Sequence, residues 1–153
     1  MRQWYRDTTS LIRAIQYAQD NGASICNLSL STTSYDQALY QTMARSGLLF
    51  VVSEGNGDEQ TGTGMDLEVS PCYPASFDLP NVISVANLSY DGTLCGRSNY
   101  GSDSVDLAAP GTYILSTTAD QGYSYMTGTS MAAPMVSAAA ALVYSYGENI
   151  SGP

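Results

Sequence analysis

The chain has 153 residues, 44% of them hydrophobic, and a formal net charge of −9. That is enough chain for one domain with a buried core, and the wrong sign of charge for binding nucleic acid or an anionic membrane surface. It has no run of 18 apolar residues to cross a bilayer, and it has no histidine.

The elements follow in chain order. Residues 8–20 read as a helix, with Leu11, Ile12, Ile15 and Ala18 on one face, Asp7 or Thr8 as cap and Gly22 as stop. Residues 25–30 read as a strand. A second helix is expected over 35–46, with Ser34 and Gln37 as a capping box, Leu39 and Met43 on one face, and Gly47 ending it. The continuous apolar run 48–52 suits a strand covered on both faces. Strand, helix and strand at this spacing make a βαβ unit with parallel strands, hence an α/β fold with a doubly wound, mostly parallel sheet in three layers. Ligands on such sheets gather beyond the carboxyl ends of the strands, where Ser29-Leu30-Ser31 and Glu54-Gly55-Asn56-Gly57 lie. Residues 57–80 read as loop. Further strands are expected at 81–86, 105–108 and 113–117, with an Asp91-Gly92 turn. A last helix is expected over 130–146, with Ala132, Val136, Ala139, Ala140 and Val143 inward. A sheet that opens on a helix implies strands upstream of residue 1, so the chain reads as part of one domain, incomplete on its N-terminal side.

The chemistry concentrates at two places. Gly128-Thr129-Ser130-Met131-Ala132-Ala133-Pro134 opens the last helix. A serine there has its hydroxyl beside free N–H groups and the positive end of the helix dipole, which favours an oxyanion forming next to it. Asn56 follows a buried strand, and its side-chain amide plus the serine N–H would make an oxyanion hole for acyl transfer. A serine hydroxyl is a weak nucleophile without a base, and the usual base is the residue this chain lacks.

These residues carry a resemblance to the subtilisin-like serine proteases. Gly128 to Pro134 is similar to that family's serine motif, Gly55-Asn56 to the segment with its oxyanion asparagine, and Asn27-Leu28-Ser29-Leu30 to the strand lining its substrate groove. Tyr73-Pro74-Ala75, Asn81 to Val85 and Val105 to Gly111 match family segments in order. The resemblance implies Ser130 as nucleophile and Asn56 as oxyanion donor. It implies Ser29, Leu30 and Ser31 pairing with an extended peptide substrate as an added strand. Ser53, Glu54 and Gly55 form the facing wall of the primary pocket, Cys72 lies near its floor, and Thr129 joins the substrate-binding set. Glu54 and Asp58 would favour a basic side chain in that pocket.

The family's catalytic aspartate and histidine precede the helix that begins this chain. The chain therefore reads as the serine-bearing part of a secreted endopeptidase, inactive by itself, whose partner is the missing N-terminal part of the same domain. Two alternatives differ. One is a non-catalytic relative that binds peptides or a partner protein. Another is the acid-peptidase group that uses Glu and Asp with Ser, but that group has an aspartate where Asn56 stands. Met135 replaces a histidine common in relatives that is not the base. No cofactor is expected. A structural calcium is the family's habit, yet Asp66, Glu68, Asp78 and Asp91 form no dense ligand loop and read as solvated. Cys26, Cys72 and Cys95 allow at most one disulfide, with Cys26 read as a buried thiol.

Overall fold

Apolar spacing and a left-handed stop produce the first element. In the computed structural model, which describes residues 8–58 and 60–150 and side chains up to 147, Thr8–Asp20 forms α1. Ile15 is buried, and Leu11, Ile12 and Ala18 pack around it. Gly22, at φ +77°, donates to Gln19 C=O while Ala23 donates to Ala18 C=O, the paired closure that a residue without Cβ permits. Asp7, the alternative cap, lies outside the described residues.

The expected βαβ unit is present. β1 is Ile25–Leu28, α2 is Gln37–Arg45 and β2 is Leu49–Ser53, with β1 and β2 parallel in the register Ile25 to Leu49 through Leu28 to Val52. β1 stops two residues early because Thr32 leaves the sheet to exchange N–H···O=C bonds with Tyr73 at 2.8 and 2.7 Å. The helix cap is Asp36, not the Ser34–Gln37 pair. Its carboxylate accepts from the N–H groups of Ala38 and Leu39 at 2.8 and 3.0 Å. A short carboxylate nearer the first turn satisfies both orphan donors, so the box is not needed.

β3 is Val82–Leu88 and β4 is Leu107–Pro110, and the sheet runs β1-β2-β3-β4, all parallel. β4 begins two residues later than expected. Asp106 meets Ser84 through its carboxylate, which takes the Ser84 N–H at 2.7 Å, so the regular ladder starts after it. Helices cover both faces. Phe50, Val52 and Val82 pack under α1 and α2, while Val51, Val85 and Ala109 pack on α3, Thr129–Ile150. Alternate residues of β2 thus enter different cores, which explains its unbroken apolar run.

Two expectations needed correction beyond element ends. The stretch before α3 is a hairpin of β5, Ile114–Thr117, and β6, Tyr123–Met126. The second strand was not expected. Val143 and Ala139 do not face inward: Val143 is 73% exposed and Leu142 74%. A helix of this length runs roughly 30 Å, longer than a strand of four to seven residues at about 3.3 Å each. The sheet therefore receives Ala132, Ala133 and Val136 but not the last turns.

Candidate active site

β2 ends at Ser53, and the chain then turns through Glu54, Gly55 and Asn56 at the carboxyl edge of the sheet. α3 starts across from it. The two are joined by side chains. Thr129 N–H donates to Asn56 Oδ1 at 2.8 Å, and the Thr129 hydroxyl donates to the same oxygen at 3.2 Å. That hydroxyl also accepts the Gly55 N–H at 3.2 Å. Because a backbone N–H can only donate, the Asn56 atom facing it is the oxygen, and Nδ2 is the donor of the amide that Thr129 does not engage. Gly128 eases this approach. A Cβ there would lie 3.1 Å from Asn56 Oδ1.

Ser130 is the second residue of α3 and is half-buried. The N–H groups of Thr129, Met131 and Ala132 in this turn are engaged by Asn56 and Gly128; the remaining one is that of Ser130. Its carbonyl accepts the Ser29 hydroxyl at 2.9 Å, so the segment after β1 is tied to the helix start. The structure therefore brings Ser29, Gly55, Asn56, Thr129 and Ser130 together.

The other wall residues are placed as follows. Leu30 packs at the edge of the α1–α2 core. Ser31 hydrogen-bonds the Cys72 thiol, and Cys72 Sγ lies 3.5 Å from where a Gly55 Cβ would stand, so one sulfur reaches from the 29–31 segment to the 53–55 segment. Burial pushes that thiol up, the Ser31 bond opposes this, and the Glu54 carboxyl adds to the rise. All three cysteines are free, and Cys26 is only half-buried.

Ser53 is buried at the end of β2, and Glu54 is fully buried. Glu54 Oε1 accepts the Ser98 hydroxyl at 2.6 Å, and among the described residues Oε2 has no partner. Burial raises this carboxyl from 4.5 to about 7, against the pull of the Ser98 bond. An acid shut away from solvent and half-neutral near pH 7 gives no exposed charge to draw a basic side chain. Asp58 caps its own turn, accepting from Gln60 and Thr61 N–H at 2.9 and 2.8 Å.

Sequence reasoning missed Ser98 and Asn99, both 1% exposed. Each looks like a polar turn residue, and only the fold shows that it meets the 54–57 turn. Among the described residues no three acidic, cysteine or histidine side chains converge as a metal site. The Glu68 carboxylate is taken by the N–H groups of Asp103 and Ser104, and that of Asp91 by Thr93. Among the described residues no helix is long and apolar enough to cross a membrane.

The fold and this edge, a serine-bearing helix against a parallel sheet, are subtilisin-like. The sequence model of the subtilase family (Peptidase_S8) matches residues 6–152, and the chain belongs to that family. It is 35% identical over 146 residues to thermitase of Thermoactinomyces vulgaris, covering 94% of this chain and 48% of thermitase. It is 36% identical over 148 residues to subtilisin-like protease 2 of Plasmodium falciparum, covering 92% of this chain and 11% of that protein. Among solved structures it is similar to the PatG macrocyclase in complex with peptide, with a TM-score of 0.79 and 30% identity over all of this chain and 46% of that one. A cold adapted subtilisin-like serine proteinase gives 0.77 and 29%, over 92% of this chain and 49% of that one. The chain thus spans less than half the length of each of these.

Proposed function

We propose that this chain is the serine-bearing part of a secreted subtilisin-like endopeptidase. The observation that carries the proposal is the pair of hydrogen bonds from Thr129 to Asn56, which hold the amide beside the serine that opens α3. Ser130 Oγ attacks the scissile carbonyl, and a histidine held by an aspartate, both from a segment preceding α1, takes its proton. Asn56 Nδ2 and the Ser130 N–H receive the charge that develops on the carbonyl oxygen. Ser29 to Ser31 add to an extended peptide as a neighbouring strand, and Ser53 to Gly55 with Cys72 bound the primary pocket. The PatG macrocyclase, solved in complex with peptide, supports a peptide as ligand.

The expected result is that a fluorophosphonate labels Ser130 in the full-length protein and that Ser130→Ala abolishes both labelling and casein hydrolysis. A full-length protein that folds yet does not label would sink the catalytic reading and leave peptide binding in its place.

The exposed Leu142, Val143, Tyr144 and Tyr146 support a further layer of chain over α3. Residues 1–153 alone are therefore expected to melt in a broad transition with dye-binding apolar surface, followed by calorimetry and fluorescence. A sharp, cooperative calorimetric peak from the monomer would contradict the partial-domain reading.

A further inference from the structure

We infer that Asn99 is a positioning residue for the oxyanion amide, holding the backbone on both sides of Asn56 so that Nδ2 stays aimed at the reacting carbonyl. The inference rests on the protease reading above for its function, though not for its geometry. Asn99 Nδ2 donates to the Glu54 carbonyl at 2.8 Å. Its Oδ1 accepts the Gly57 N–H at 2.9 Å and the Met65 N–H at 3.0 Å. Its own N–H donates to the Gly55 carbonyl at 3.2 Å. Residues 54, 55 and 57 are thereby fixed to one buried residue, while the side chain of Asn56 is fixed from the opposite side by Thr129.

The surroundings are shaped for this contact. Gly55 sits at φ +103°, and a Cβ on it would fall 2.6 Å from Asn99 Nδ2. A side chain at 55 would displace the amide from the turn. Both lone pairs of Oδ1 are used, so the orientation of the Asn99 amide is determined by obligate donors. The neighbouring Ser98 accepts the Asn87 N–H at 2.8 Å, which ties the same stretch to β3. The turn carrying Asn56 is thus referred to the rigid sheet through 98 and 99. A misplacement of about 1 Å at a donor that acts only in the transition state can lower a rate about 100-fold.

The test is a double-mutant cycle in the full-length protein. Asn99→Ala is expected to lower kcat about 10- to 100-fold with KM within about threefold, because the oxyanion exists only in the transition state. In an Asn56→Ala background the same substitution is expected to change kcat by less than about threefold, since the residue it acts through is gone. Equal losses in both backgrounds, or a loss confined to KM, would overturn the inference. A second measurement needs neither catalysis nor a variant. The Gly57 and Met65 amides of the full-length protein are expected to be protected from hydrogen exchange about 1,000-fold or more. Exchange of both at free-loop rates would overturn the clamp, whereas protected amides in a protein that hydrolyses nothing would retain the clamp and remove the protease reading.

Discussion

Asn56→Ala is expected to lower kcat of the full-length protein by about two to three powers of ten, with KM little changed. Thr129 occupies Oδ1 with two donors, so the group lost to catalysis is Nδ2. On the proposed reading, ground-state peptide binds along the 29–31 segment and the pocket, which the substitution leaves alone. Asn56→Asp is expected to be at least as damaging, because it puts a second acceptor, and at neutral pH a negative charge, where an oxyanion must form. Steady-state kinetics on a chromogenic peptide checks both variants. An Asn56→Ala enzyme within threefold of wild type in kcat would remove Asn56 from the oxyanion hole.

The second large effect belongs to Glu54. Its carboxyl is fully buried, has one oxygen without a partner among the described residues, and is raised to about 7. The folded state therefore keeps its proton to higher pH than the unfolded chain does. The stability tied to this group is complete below about pH 4.5, falls as pH rises toward 7, and is lost above that. A displacement of this size corresponds to about 3 kcal/mol. Glu54→Gln does not titrate. Relative to Glu54, it is expected to gain about 3 kcal/mol of stability between pH 4 and pH 8. Urea unfolding of full-length protein in a Ser130→Ala background, which prevents self-digestion, measures it. A difference between the two proteins that stays within about 1 kcal/mol across that range would show that the carboxyl is not held protonated by burial.

Much of the framework was legible along the chain because it is local. Leu11, Ile15 and Ala18 repeat at helical spacing, and Gly22 marks the stop by its backbone freedom. The run 48–52 is apolar at every position because both of its faces are covered. The serine at the head of α3 and the asparagine beyond β2 were legible as well, since each sits at a predictable end of a predictable element. The capping box over Ser34 and Gln37 was misread because Asp36 stands closer to the orphan N–H groups and wins them. β6 was missed because Tyr123-Ser124-Tyr125-Met126 pairs only with β5 and packs on little else, so no buried face marks it out.

The amino-acid order by itself determined the α/β class, the parallel βαβ unit, the subtilase kinship and the placing of Ser130 and Asn56 at the ends of their elements. Hydrophobic period, turn chemistry and a short motif are properties of neighbours in the chain, and they survive without coordinates. Tertiary structure alone decided that Glu54 turns inward to Ser98, that Cys72 meets Ser31, and that Asn99 grips the turn around Asn56. Those contacts join residues 41 to 45 positions apart, with no periodicity connecting them. Only the meeting of separate loops at the edge of the sheet brings them together.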